Sequence, residues 1–290
     1  MEVAIAGGAL AVAVTTAVCQ GFRAALRARR RRRAGCKQEP LLEVCCGSAE
    51  DCIQAAKGGA GRVELCADLP AGGTTPSFGE IASAARRLKA YPDVKLHVII
   101  RPRPGHFVFS TEEFTIMQDD IKAAARAGAD GVVIGALTRS SRICGNVRGL
   151  VKVARELQLS VTFHRAFDAL ILAGGAAAPA LEAVADLGCD RLLTSGGATV
   201  AQPECQAVLG ELVEHGGPVG LVVGGGVTKK NLLKILELGV QEIHVQSAVS
   251  IRERSGVGGP FEYPMQFVDK QLVAELVKLV KANAKTSSER

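Results

Sequence analysis

The chain has 290 residues, 48% of them hydrophobic, with 33 glycines, nine cysteines and a formal net charge of +6. That length suits one large α/β barrel or two smaller domains, and the apolar share excludes a wholly disordered polypeptide. The charge is local: eight of the 35 Lys/Arg and two of the 29 Asp/Glu lie in residues 1–40, which leaves 27 of each sign beyond them, and a neutral body without a basic stripe and interleaved aromatics excludes nucleic acid as a partner.

Residues 1–40 read as an extension, separate from a barrel over 41–290. An apolar run, VAIAGGALAVAVTTAVC (3–19), precedes an arginine run, RARRRRR (27–33). A secretory signal has its positive charges before the apolar segment, so this order argues against one. The apolar run is short for a membrane span and contains two glycines, so no membrane partner is expected. The arginines suit a nuclear address, and the segment is expected to be disordered or to serve targeting.

From Pro40 onward the pattern alternates strand and helix. The expected strands are LLEVCC (41–46), RVELC (62–66), KLHVIIR (95–101), GVVIG (131–135), LSVTFH (159–164), RLLTS (191–195), VGLVV (219–223) and EIHVQ (242–246). They are short and rich in Val, Ile and Leu, as parallel strands covered on both faces should be. Glycines at 59, 128, 188 and 239 precede the second, fourth, sixth and eighth strands, where left-handed helix C-caps belong. SAED (48–51), SFGE (77–80) and STEE (110–113) mark helix starts, the last two as capping boxes. Eight βα units predict a TIM (β/α)8 barrel, with a doubly wound open sheet as the alternative.

Functional residues of such a barrel gather at the C-terminal ends of its strands. Alternation puts Glu43 and Cys45 on one face of the first strand, and Glu64 and Cys66 on one face of the second. The thiols are expected to meet at the mouth, with sulfurs roughly 4–5 Å apart for a two-coordinate metal. Cys46 should point away. The two acids, one layer deeper, need a cation. Arg101, ending the third strand in IIRPRPG, is the nearest candidate, whether as a structural partner of Glu64 or as an anion holder. His164 ends the fifth strand in TFHRAFD, with Asp168 expected to orient it from the loop. Glu43, Glu64, Arg101 and His164 are thus expected to form one polar cluster. His97 reads as core, and His244 as able to reach the mouth. Gly224, Gly225 and Gly226 follow the seventh strand, where a TIM barrel often cradles an anion, although tight turns explain them equally well.

Some chemistries are excluded. No lysine ends a strand, so a Schiff-base aldolase lacks its nucleophile. There is no H-x-H pair, no D-x-D cluster and no nucleotide fingerprint. Nine cysteines without a C-x-x-C pair suit free thiols in a reducing compartment.

Taken together, EVC (43–45), ELC (64–66), GGTTPS (72–77), RPRPG (101–105), GADGVVIGALT (128–138), TFHRAFD (162–168), RLLTSGG (191–197), GGGVT (224–228) and EIH (242–244) resemble the CutC family of copper homeostasis proteins. The resemblance implies a TIM barrel, an intracellular setting, a homo-oligomer, and copper handling through Cu(I) bound by Cys45 and Cys66. Two departures are visible: Val222 and Val223 stand where the family often has Met-Pro, and HVQSA (244–248) is one residue longer than the family's pattern. Soft Cu(I) favours thiolates, so the chemistry agrees with the resemblance. An enzyme acting on a small anionic or phosphorylated compound, with Glu, Arg and His as its acid–base groups, remains the alternative function.

Overall fold

A computed structural model describes residues 40–253 and 265–288. The expectations for the extension, with Cys19 and Cys36, lie outside the described residues. Strands β1 (Leu41–Cys46), β2 (Arg62–Leu65), β3 (Lys95–Ile99), β4 (Gly131–Ile134), β5 (Ser160–Phe163), β6 (Arg191–Thr194), β7 (Gly220–Val223) and β8 (Glu242–Val245) pair in sequence order. All the pairs are parallel and β8 returns to β1, so the sheet is a closed barrel rather than an open doubly wound one.

Helices follow the strands: α1 (Ala49–Lys57), α2 (Phe78–Leu88), α3 (Thr111–Ala127), α4 (Val147–Glu156), α5 (Ala166–Leu172) and α6 (Ala177–Leu187), α7 (Pro203–His215) and α8 (Leu232–Glu237). The outward strand residues, such as Val44, Val63, Val98, Ile134, Phe163 and Ile243, are buried beneath these helices and form the main apolar core. Cys46 belongs to this outer layer. After β8 come an antiparallel hairpin, β9 (Ser250–Glu253) and β10 (Met265–Val268), and α9 (Lys270–Ser288), which packs on α1, α8 and β1. The sequence reading does not anticipate the hairpin.

Local signals explain several boundaries. Ser48, Ser77 and Ser110 each accept a hydrogen bond from the backbone N–H three residues on. Only Ser110–Glu113 closes a full capping box. The expected second box fails because Glu80 turns to the neighbouring helix and accepts from Ala49 N at 2.5 Å. Gly128 (φ 102°) and Gly188 (φ 89°) are left-handed C-caps. At the first unit Gly58 is the cap in ordinary backbone, and Gly59, one residue later, takes the positive φ.

Candidate functional site

The barrel interior is polar at its floor. Arg62 reaches Glu43 through Nε and Glu242 Oε2 through Nη2 at 2.7 Å. Arg191 Nε joins Glu242 at 2.9 Å, and its Nη1 donates to Ser160 Oγ at 2.6 Å. Glu43 therefore meets its cation on the adjacent strand, not at Arg101. Burial would raise the Glu43 carboxyl, but Arg62 and His244 outweigh it and hold it well below the usual carboxylate range. Arg62 stands two residues before Glu64, and Glu242 two before His244, so alternation already placed both on the inner face; the sequence reading passed over them.

Above this floor lies the thiol pair. Cys45 Sγ and Cys66 Sγ are 3.7 Å apart and buried. The two cysteines are not level across the ladder. The register sets Glu43 opposite Arg62 and Cys45 opposite Glu64, so Cys66 sits one pleat further toward the mouth. His244, opposite Glu43 on β8, brings Nδ1 to 2.6 Å from Glu43 Oε1 and 3.7 Å from Glu64 Oε2. Glu64 thus faces His244 and not Arg101. One ligand atom each from Cys45, Glu64 and His244 lie within 4.8 Å of one another. A hydrogen bond from Cys66, aided against burial by His244, lowers the Cys45 thiol to about 6, whereas Cys66 itself is pushed well up. Burial, reinforced by the Cys45 charge, lifts Glu64 to about 8. His244 is raised because its bonds to Cys45 and Glu43, with the charges of Glu43 and Glu64, overcome its own desolvation. Cys45 is thus favoured as a thiolate beside the Cys66 thiol, a soft pair, with His244 favoured in its protonated form next to them.

The opposite wall is built from Arg101, Phe107 and His164. Arg101 Nη1 donates to the carbonyls of Gly72 and Gly73, both at 3.0 Å, and Nη2 to Gly105 O at 2.7 Å. Its guanidinium lies 4.9 Å from the Phe107 centroid, and Phe107 lies 5.0 Å from the His164 ring. Gly135 makes room for that ring, since a Cβ there would come 2.5 Å from Nδ1. Burial, assisted by Arg101, pulls His164 down to about 3, so it is neutral. The expected orientation by Asp168 is not found. Asp168 instead binds Arg165 Nε at 2.6 Å, Thr194 Oγ1 and Ser195 Oγ at 2.9 Å, tying the β5 exit to the β6 exit. The single expected cluster is thus two: a paired group of Glu43, Glu64, Arg62 and His244, and an Arg101–Phe107–His164 wall.

Between them is a cavity of about 450 Å³, lined by Cys45, Glu64, Cys66, Arg101, His164 and His244 among others, and rimmed by Gly225 and Gly226. Glu43, Asp168 and Gly224 do not line it. Gly225 and Gly226 have φ of 80° and 100°, and a Cβ at Gly225 would come 2.8 Å from the Arg165 guanidinium carbon. His97, below the cavity, has an unpartnered Nδ1 and is drawn down to about 3 by burial and by Arg62.

A CutC family protein of Bacteroides fragilis is 48% identical over 214 residues, covering 73% of this chain and 82% of that one. One from Vibrio vulnificus is 43% identical over 207 residues, covering 70% and 79%. A crystal structure carrying the name copper homeostasis protein CutC, from Streptococcus agalactiae, aligns with a TM-score of 0.63 and 32% identity, covering 71% of this chain and 97% of that one. Thiamine phosphate pyrophosphorylase from Pyrococcus furiosus shares the fold alone, at a TM-score of 0.56 and 18% identity, over 85% of this chain and 98% of that one. The CutC family profile matches residues 40–249, the whole eight-stranded barrel and its mouth, and the chain belongs to the CutC family.

Proposed function

We propose that this protein binds Cu(I) through Cys45 and Cys66 and serves intracellular copper handling by binding and transfer rather than turnover. The observation that carries the reading is the sulfur pair 3.7 Å apart, with Cys45 held as a thiolate near neutral pH. Soft monovalent copper prefers such ligands to the carboxylates and waters that suit hard cations. With metal–thiolate bonds of about 2.3 Å, a linear S–metal–S unit spans about 4.6 Å and a unit bent to about 110° spans about 3.8 Å. The metal-free sulfurs, in hydrogen-bond contact at 3.7 Å, are within reach of bridging by one ion after at most a small separation. Of the two other groups near Cys45, His244 would be the better third ligand once it has given up its proton, because neutral imidazole suits copper and carboxylate does not.

Competition against a Cu(I) chelator tests this. Cys45→Ser and Cys66→Ser should each weaken binding by at least about tenfold, the scale of one lost strong ligand interaction. Cys46→Ser should not, because its sulfur lies in the outer layer beneath the helices. Cys144→Ser and Cys205→Ser should also leave affinity unchanged. Retention of full affinity by both Cys45→Ser and Cys66→Ser would refute the site.

A further inference from the structure

A copper ion needs only the thiols and a third ligand, yet the cavity beside them is about 450 Å³. That is the scale of pockets that enclose small organic molecules. Its chemistry is one-sided. His164 is 4% exposed and lines the cavity. Its Nδ1 accepts from Ala166 N at 3.1 Å, so Nε2 carries the proton, and Nε2 is buried with no hydrogen-bond partner. Arg101, 5% exposed on the same wall, has a buried Nε–H without a partner as well. The partners Arg101 does have are neutral carbonyls, and among the described residues no carboxylate pairs with it. A buried donor left unmade costs about 1–3 kcal/mol, and a buried cation without a counter-ion costs more. Both deficits on this wall have the same sign: donors lacking an acceptor, and positive charge lacking a negative one.

The rest of the wall fixes these groups in place. Phe107 is stacked between the imidazole and the guanidinium, at 5.0 and 4.9 Å. Gly72 and Gly73, at φ of 88° and 84°, fold their carbonyls onto Nη1. Both unmade donors are closed to water in the ligand-free protein, so a ligand in the cavity meets them after a small shift of the imidazole or guanidinium, while the stacking and the carbonyls hold the rest of the wall and limit the cost of binding. We propose that the mouth cavity is a binding site for a small organic anion, whose carboxylate or phosphate accepts from His164 Nε2 and Arg101 while its apolar part lies toward Ile99 and Phe107. The cavity is shared with Cys45, Cys66 and His244, but the anion's partners stand on the opposite wall, so the proposal does not require copper to bind.

Isothermal titration of the full chain with inorganic phosphate, phosphoenolpyruvate and succinate tests it, with thermal unfolding of each protein as the check on folding. At least one probe should bind with a dissociation constant at or below about 1 mM. Inorganic phosphate binding more tightly than succinate would assign a phosphate ligand and the reverse order a carboxylate ligand, with phosphoenolpyruvate, which carries both groups, as the organic probe that either outcome allows. His164→Phe keeps the ring against Phe107 and removes the Nε2–H, so it should weaken binding by about tenfold or more, as should Arg101→Gln. Arg103→Gln is the charge control, since Arg103 pairs with Glu113 and stacks on Phe109 away from the cavity. It should leave binding unchanged. No heat and no thermal shift with any probe at about 10 mM would overturn the proposal. So would unaltered affinity in a folded His164→Phe, or an Arg103→Gln loss equal to that of Arg101→Gln.

Discussion

At the scale of single residues, the barrel floor depends on charges that are satisfied only by each other. Glu43 is 1% exposed and Arg62 2%, and Arg62 also holds Glu242. Replacing Arg62 by Met keeps the bulk but leaves Glu43 beside only His244 and frees Glu242 to Arg191. Breaking one partner of a buried pair typically costs about 3–5 kcal/mol. Arg62→Met should therefore lower the urea midpoint sharply, and an unchanged midpoint would show the network contributes little. The acids were legible from alternation, as was the need for a cation. Their partners were assigned wrongly because strand-end position suggested Arg101, whereas the register puts Arg62 directly beside Glu43.

At the scale of elements, the C-terminal helix α9 was expected from sequence, but its seat on the barrel, a glycine, was not. A Cβ at Gly58 would come 2.5 Å from Val273 Cβ and 2.7 Å from the Lys270 carbonyl. The backbone there is ordinary, with φ −77°, so the requirement is space rather than conformation. Gly58→Ala should destabilise by about 1–3 kcal/mol, the usual cost of overpacking a close contact. Hydrogen exchange should show the loss concentrated in α9 and α1. Capping illustrates the limit of local reading in the same way. Ser77-x-x-Glu80 and Ser110-x-x-Glu113 look alike in sequence, but Glu80 is drawn across to Ala49 N, and no local signal encodes that neighbour.

At the scale of the whole molecule, two buried imidazoles, His97 and His164, link folding to protons. His97 is 2% exposed, and its pKa falls from 6.5 to about 3 through burial and the nearby Arg62 and Arg191, with Glu43 and Asp190 opposing. The unfolded chain takes up a proton below about pH 6.5 that the folded ring refuses, so stability falls as pH drops from 6.5 toward 3. Glu64 acts oppositely, since its raised pKa of about 8 favours the folded state at lower pH and loses that advantage as pH rises from 4.5 to 8. The isolated effect of His97 is therefore best read as a difference. The stability of the native protein minus that of His97→Asn should fall by up to about 1.4 kcal/mol per pH unit below pH 6.5. Parallel pH curves for the two proteins would mean that His97 titrates normally.

The sequence by itself determined the barrel, because short apolar strands, glycines before every second strand and serine N-caps on the first three helices are local signals that together mark eight alternating βα units. It also determined which residues face inward, since alternation within a strand depends on no other strand. The thiols of EVC and ELC and the ring of TFHRAFD were therefore visible as mouth residues. What the tertiary structure decided was which inward residue meets which. The register between β1 and β2 pairs Cys45 with Glu64 and Glu43 with Arg62, and closure of β8 on β1 brings His244 to Glu43 across 201 positions of sequence. Stagger and closure are set by packing around the whole barrel, with no residue pattern inside one strand to record them. The same holds for the cavity: its volume is the space left between β1–β2 and the Arg101–Phe107–His164 wall, and only the closed barrel fixes that separation.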